Sequence, residues 1–198
     1  MSYNIFENVR VMAVVKHQST EQVLAVLQRH QLDLIGESRM QEACARADVW
    51  PSTIEQHFIG HLQSNKAALA VRLFDVIESV DSIRLLQAIN RAAYTQHHQQ
   101  KVFLQINISH DARKYGFLPN ELTAVMSAVQ QLANISVNGL MTITAQQPLE
   151  QTKKDFRAMK QLQLHHNLAE LSMGMTNDWN TAVAEGATII RLGQYFFS

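Results

Sequence analysis

Eight short apolar segments alternate with amphipathic segments along this chain. The apolar segments are candidate β-strands at residues 9–15, 32–36, 56–60, 76–80, 102–108, 137–143, 171–175 and 188–192. Between them, apolar residues at helical spacing predict helices at residues 21–30, 38–47, 63–73, 82–95, 120–132, 149–164 and 177–185. Strands that alternate with helices through short connections form parallel sheets, and eight such units favour a closed (β/α)8 barrel of the TIM type. We therefore expect residues 1–198 to form one α/β barrel domain.

The composition limits the kinds of partner. The chain has 198 residues, 46% of them hydrophobic, with 17 basic and 17 acidic side chains. Because neither sign of charge predominates, we expect no nucleic acid and no membrane surface as a partner. No apolar stretch approaches the roughly 18 residues of a membrane span, and residues 1–6 lack the features of an export signal, which predicts a cytoplasmic protein. The single cysteine, Cys44, is expected to be a small buried side chain in a reducing compartment.

Lys16 follows the apolar run 11–15, which contains three valines and is typical of a strand buried in a parallel sheet. An ammonium at the end of such a strand is costly to desolvate unless it is paired or used covalently. One interpretation is that the side chain extends along its aliphatic stem into solvent. The other is a functional amine, since lysine forms Schiff bases and reactive groups of such barrels lie at the C-terminal ends of the strands.

Two residues near the last two strands suit a phosphate group. Thr176 follows the seventh predicted strand where a helix is expected to begin, so its hydroxyl and the free N–H groups there suit an anion. Gly193 follows the eighth strand, where a missing side chain allows a ligand to approach the backbone. An ordinary helix cap and an ordinary turn are the alternatives. Barrels of this type often bind phosphate after strands seven and eight, which favours the functional interpretation.

Arg191 lies between apolar residues in the eighth predicted strand. A guanidinium in such a strand requires an acceptor. A core carboxylate such as Glu37 or Glu78 would make a structural ion pair. The nitrogen of a heteroaromatic ring is the alternative acceptor, and Arg191 would then keep that ring unprotonated.

Several sequence segments occur in the order found in one protein family. They are VMAVVK, GESRMQEA, HFIGHLQSNK, LQINIS with KYGF, GLMTI, LSMGMTNDW with AVAEGAT, and IIRLG. On these segments the chain resembles the pyridoxal-phosphate homeostasis proteins over nearly its whole length, and FIGHLQSNK and LSMGMTNDW are the most specific. Proteins of that family are single-domain barrels similar to the N-terminal domain of alanine racemase.

The resemblance implies pyridoxal 5′-phosphate (PLP) as the cofactor and assigns residues to it. Lys16 falls on the lysine that forms a Schiff base with PLP, and Arg191 falls on the arginine that approaches the pyridine nitrogen. The phosphate would be held by Thr176, Gly193 and the backbone of Gln194, with Ser172 beside them. Met141 would lie near the pyridine ring, and Asn65 and Lys114 near the rim of the site.

The chain departs from the family next to the predicted site. Val15 stands where the family usually has serine, and His-Gln-Ser at residues 17–19 replaces Thr-Lys-Pro, so a second lysine is absent. Ser38 replaces the asparagine of the usual Gly-Glu-Asn, and the N-terminal segment before Lys16 is shorter than is usual. PLP binding is expected to persist because the lysine, the arginine and the phosphate segment remain.

The resemblance implies a non-catalytic monomer that holds, buffers or delivers PLP, with apo PLP-dependent enzymes as recipients. A racemase-like enzyme is the main alternative, but alanine racemase takes its second base from a C-terminal β domain, and no residues for one follow the eighth strand. A degenerate member with weakened PLP binding and a lysine aldolase are further alternatives; an aldolase would not need Arg191. No metal site is expected, because His57 and His61 do not share a helix face.

Overall fold

A computed structural model describes residues 9–197 as a closed barrel of eight parallel strands. The strands are β1 (Arg10–Val14), β2 (Leu34–Glu37), β3 (Glu55–Phe58), β4 (Val76–Val80), β5 (Gln100–Gln105), β6 (Ile135–Met141), β7 (Glu170–Ser172) and β8 (Ile189–Leu192). Each strand pairs with the next in the chain, and β8 closes the barrel against β1 with Met12 opposite Arg191. This confirms the predicted fold class and the order of the strands.

A helix follows each strand. The helices are α1 (Thr20–His30), α2 (Met40–Ala45), α3 (Ala67–Leu73), α4 (Ile83–Thr95), α5 (Leu122–Val129), α6 (Leu149–His165), α7 (Trp179–Ala184) and α8 (Gln194–Phe197), with 3-10 turns at Ser64–Lys66 and Pro119–Glu121. The sequence pattern predicted the first seven and missed α8, which is a single turn without a recognisable apolar period. Within residues 9–197, no helix is long and apolar enough to cross a bilayer.

Local sequence explains where individual helices begin. Ser19 accepts the N–H of Gln22 while the Gln22 side chain accepts the N–H of Ser19, so α1 starts one residue earlier than predicted. Ser82 accepts the N–H of Leu85 at the start of α4. α2 buries Met40 and Ala43.

The apolar part of the barrel interior comes from six strands. Side chains alternate between the two faces of a strand, so every second residue points inward. The inward apolar cluster consists of Met12, Leu34, Val76, Phe103, Met141 and Ile189. Gly36 makes this packing possible, because a Cβ at that position would lie 2.3 Å from the sulfur of Met12. The outward faces of the strands pack beneath the helices in a larger core.

Cys44 is exposed, so the expectation of a buried thiol is wrong. The cysteine directly follows the buried Ala43 on α2. Consecutive residues of an α-helix are rotated by about 100° around its axis, and this rotation places Cys44 on the outward face.

Candidate ligand site at the barrel mouth

Lys16 lies in a turn two residues beyond the end of β1. Its side chain is exposed, and it makes no hydrogen bond or ion pair within the described part of the chain. The side chain thus extends into solvent, as the first of the two interpretations has it, because β1 stops at Val14 and the chain turns outward there. The lysine remains at the C-terminal end of the barrel, where reactive groups of such folds lie.

The loop that carries Lys16 is held from α2. The guanidinium of Arg46, at the C-terminal end of α2, donates to the carbonyl of Gln18 at 3.2 Å and lies 3.5 Å from the carbonyl of Val15. The N–H of His17 donates to Glu42 at 2.8 Å, and His17 adopts a φ of 64°. These contacts fix the backbone on both sides of Lys16 while its amine stays free.

Arg191 is buried in β8, with 3% of its surface exposed. Its Nη1 donates to Oγ of Ser172 at 2.8 Å, and its Nη2 donates to the carbonyl of Thr142 at 2.7 Å. Burial lowers the pKa of Arg191 from its ordinary value. Of the two carboxylates considered from sequence, Glu37 pairs with Arg46 instead, and Glu78 reaches Arg191 only through Ser172.

The polar contacts continue from Ser172 toward the other end of the barrel. Ser172 donates to Oε2 of Glu78 at 2.6 Å, and Oε1 of Glu78 lies 2.7 Å from Nδ1 of His57. Nε2 of His57 lies 3.2 Å from Glu55, which also pairs with Arg10 at 2.7 Å. Burial alone would lower the pKa of His57, but the two carboxylates raise it above its ordinary value.

A cleft of about 740 Å³ opens between the loops after β6, β7 and β8. Thr176, Gln194 and Lys114 lie on its surface. The Thr176 hydroxyl makes no hydrogen bond within residues 9–197 and is available to a ligand. The expectation that Thr176 opens a helix is wrong: α7 starts at Trp179, because the carboxylate of Asp178 accepts the N–H of Met175 and closes a turn ahead of the helix.

Gly193 follows β8 at the edge of the mouth. A Cβ at this position would meet no atom nearer than 3.5 Å, the closest being Cβ and the carbonyl oxygen of Val14. The packing of the protein therefore does not require glycine here, in contrast to Gly174, which has a φ of 92° and where a Cβ would lie 2.5 Å from Ala182. The space next to Gly193 is open to a ligand group that approaches the backbone.

Two contacts shape the rim of the barrel mouth. Nζ of Lys114 donates to the carbonyls of Ile143 at 3.2 Å and Thr144 at 2.6 Å, and burial lowers the pKa of this lysine. The imidazole of His61 stacks on the ring of Tyr115 with centroids 3.8 Å apart. The loops after β3 and β5 therefore meet across the rim.

The fold brings several of the residues predicted from sequence together. Met141 lies opposite Ser172 in the pairing of β6 with β7, and Ser172 contacts Arg191. Thr176 and Gln194 share the cleft with Lys114. Asn65 is exposed in the 3-10 turn after β3 and does not contribute to that cleft, so its role stays a prediction.

Sequence reasoning missed other residues that support the site. Arg46 and Glu42 hold the lysine loop, and Thr142 provides the carbonyl that Arg191 binds. No sequence feature marked Arg46 as a residue of the site, because an arginine near the end of a helix is usually solvated. His57 was weighed only as a metal ligand, although its position two residues from Glu55 in the same strand placed both on one face.

Comparison with known proteins identifies the fold and the family. The family model "alanine racemase, N-terminal domain" matches residues 3–198. A pyridoxal phosphate homeostasis protein of Pseudomonas aeruginosa is 35% identical over 90% of this chain and 80% of the relative. The protein of the same name from Synechocystis is 36% identical over 96% of this chain and 91% of the relative.

Solved structures agree with these relatives. PipY of Synechococcus elongatus, solved with PLP bound, is 35% identical, with a TM-score of 0.86 over 97% of this chain and 93% of its own. Alanine racemase of Clostridium difficile is 15% identical with a TM-score of 0.75, and this chain covers 52% of it, a likeness that shows the fold alone. The chain thus belongs to the family of pyridoxal phosphate homeostasis proteins, built on the barrel of the alanine racemase N-terminal domain.

Proposed function

We propose that this protein binds PLP at the barrel mouth and acts in PLP homeostasis in the cytoplasm, holding the cofactor and delivering it to apo PLP-dependent enzymes. One observation carries the proposal: β8, with the buried cation of Arg191, lies between β1, which leads to the free amine of Lys16, and the loops of the Thr176 cleft. An aldehyde, an aromatic nitrogen and a phosphate each have a matching group at the same end of the barrel.

The residues present fit the groups of PLP in chemistry. The cleft of about 740 Å³ is lined by Thr176 and Gln194 and would take the phosphate end, while Lys16, Arg191 and Gly193 lie outside its lining. The hydroxyl of Thr176 and the backbone from Gly193 to Gln194 would hold the phosphate, since the first N–H groups of a helix are not used by the helix itself. The open space beside Gly193 admits a group that a Cβ would displace.

Lys16 would attach the cofactor through its amine. The lysine is exposed, so the attachment point is accessible to water and to a competing amine. Such accessibility suits reversible loading and release better than a reaction that requires a dry, closed site. The backbone around Lys16 is nevertheless held by Arg46 and Glu42, which keeps the amine at the mouth.

PLP supplies an aldehyde that condenses with amines and a ring that withdraws electrons from the attached carbon when its nitrogen is protonated. Arg191 carries only donors, so it would face the ring nitrogen as an acceptor and leave it unprotonated. This arrangement weakens electron withdrawal and supports a binding role rather than racemisation.

A visible spectrum tests the proposal directly. Purified protein incubated with PLP should turn yellow, and borohydride should remove the band by fixing the cofactor to the chain. A protein that stays colourless after incubation with excess PLP, and that retains no PLP through gel filtration after borohydride treatment, would contradict it.

A further inference from the structure

A line of four buried polar side chains crosses the barrel interior. His57 on β3, Glu78 on β4, Ser172 on β7 and Arg191 on β8 are 1%, 0%, 0% and 3% exposed. The three contacts that join them measure 2.7 Å, 2.6 Å and 2.8 Å. Each of the four side chains has a hydrogen-bond partner in this line, which offsets the cost of burying polar groups, whereas Nε2 of His57 makes no hydrogen bond within residues 9–197 and faces Glu55 at 3.2 Å.

The direction of each hydrogen bond in the line is fixed by chemistry. Arginine has only donors and an ionised carboxylate has only acceptors. Ser172 has one hydroxyl proton, so it accepts from Arg191 and donates to Glu78. The hydroxyl therefore has one orientation, and Arg191 reaches both Ser172 and the carbonyl of Thr142 from the position it occupies.

The charges along the line alternate. Glu78 lies between His57 on one side and, through Ser172, Arg191 on the other. Glu55 lies on the far side of His57 and pairs with Arg10. Glu78 is therefore held from both sides, by His57 directly and by Arg191 through Ser172.

We propose that Glu78 is a positioning residue for Arg191, with Ser172 as the link and His57 as the partner that holds Glu78 from its other side. The inference rests on the proposed function, in which Arg191 meets the ring nitrogen of PLP. Glu78 does not touch the ligand in this scheme. It acts by holding the guanidinium in the single orientation that presents a donor to the nitrogen.

The variant Glu78→Gln tests the proposal because it keeps the shape of the side chain and removes its charge. The glutamine amide adds a donor, so the serine hydroxyl loses its unique direction and Arg191 its fixed position. The two probes are PLP and 1-deazapyridoxal 5′-phosphate, in which a carbon replaces the ring nitrogen. Affinities are measured by titration of the visible absorption band.

We expect Glu78→Gln to weaken PLP binding by about tenfold, the size of one charge-assisted hydrogen bond, and to change binding of the deaza compound less than about twofold. Asp155→Asn is the matched control. Asp155 is a buried carboxylate that accepts from Ser109 and Gln147, away from the line. Asp155→Asn should lower the free energy of unfolding without changing the ratio of the affinities for PLP and the deaza compound.

The outcomes separate the two proposals. If wild-type protein binds both compounds equally, Arg191 does not contact the ring nitrogen, and that part of the proposed function is wrong. If wild-type protein prefers PLP and the Glu78→Gln variant keeps the same preference, the positioning role alone is wrong. The positioning role is also wrong if the variant binds both compounds more weakly by the same factor.

Ser172→Ala provides a second route if Glu78→Gln does not fold. This variant removes the link while the charges on both sides remain, and it should reduce the preference for PLP over the deaza compound to the same extent. An unchanged preference in Ser172→Ala would also contradict the proposal.

Discussion

The guanidinium of Arg46 and the carboxylate of Glu37 form an ion pair in which the two side chains are 9% and 4% exposed. The same guanidinium contacts the carbonyls of Val15 and Gln18, on either side of Lys16. Glu37 ends β2 and Arg46 follows α2. The pair therefore connects the rigid barrel to the loop that presents the lysine.

Arg46→Met should lower the free energy of unfolding by about 3–5 kcal/mol, because removing one partner leaves a buried charge uncompensated. Burial already raises the pKa of Glu37 despite its contacts with Arg39 and Arg46. Urea unfolding at neutral pH measures the change. Arg157→Met is the control: Arg157 is 59% exposed and pairs with Glu185, so its loss should cost less than about 1 kcal/mol. Equal losses in the two variants would contradict the role of Arg46.

Lys16→Ala should abolish the absorption band of bound PLP and leave the fold intact. The side chain is exposed and makes no hydrogen bond or ion pair within residues 9–197, so the free energy of unfolding should change by less than about 0.5 kcal/mol. Borohydride reduction and peptide mass mapping should place the cofactor on Lys16. Lys66→Ala, another exposed lysine, should keep the band. A reduced cofactor on Lys66 or Lys114 would show that the assignment is wrong.

Gly193→Val should weaken PLP binding by at least about tenfold, since the side chain occupies the space left for the phosphate. Its stability should change by less than about 1 kcal/mol, because a Cβ there meets nothing nearer than 3.5 Å. Gly174→Val is the contrasting variant and should be destabilised by several kcal/mol, given a φ of 92° and a Cβ only 2.5 Å from Ala182.

Pyridoxal without phosphate should bind wild-type protein much more weakly than PLP. The Thr176 hydroxyl and the backbone at Gly193 and Gln194 would then have no anion to hold. Competition between the two compounds, followed at the visible band, measures the difference. Equal affinities would show that Thr176 and Gly193 are only a turn and a loop residue.

The His57–Glu55 pair should make the free energy of unfolding depend on pH in both the acid and the alkaline range. His57 and Arg10 lower the pKa of Glu55 to about 2 against the opposing effect of burial, so its stabilising contribution is complete above its ordinary pKa of 4.5 and is lost as the pH falls toward 2. The pKa of His57 is raised above 6.5, so its contribution is complete below pH 6.5 and is lost as the pH rises through the folded-state pKa.

Urea midpoints measured across this range should show the difference between wild type and Glu55→Gln at its largest between about pH 5 and 6.5. The difference should shrink toward pH 2, where Glu55 becomes protonated in the folded state too, and it should also shrink in the alkaline range, where His57 is neutral. A difference that is constant from acid to alkaline pH would contradict the assignment of charges in this pair.

The PLP-loaded protein should exchange the α-proton of L- or D-alanine only at a trace rate. Arg191 beside the ring nitrogen would leave that nitrogen unprotonated and so limit electron withdrawal from the α-carbon. NMR of alanine in deuterated buffer follows both exchange and chirality. Racemisation at about 1 per second or faster would favour the racemase alternative.

The sequence alone determined the order of the strands and the end of the barrel that carries Lys16. These follow from local pattern: a run such as residues 11–15 is apolar because both of its faces are buried in a parallel sheet. The order of the motifs then indicated the family, because the segments FIGHLQSNK and LSMGMTNDW are each specific for it over many consecutive positions.

Only the tertiary structure decided how these residues are held. Ser172 and Glu78 are 94 residues apart, and the line from His57 to Arg191 forms because closure of the barrel brings β3, β4, β7 and β8 around one interior. The exposure of Lys16 likewise depends on where β1 stops pairing with its neighbours. Such contacts leave no periodic trace in a single sequence, because each residue satisfies its local strand pattern whichever partner it meets across the barrel.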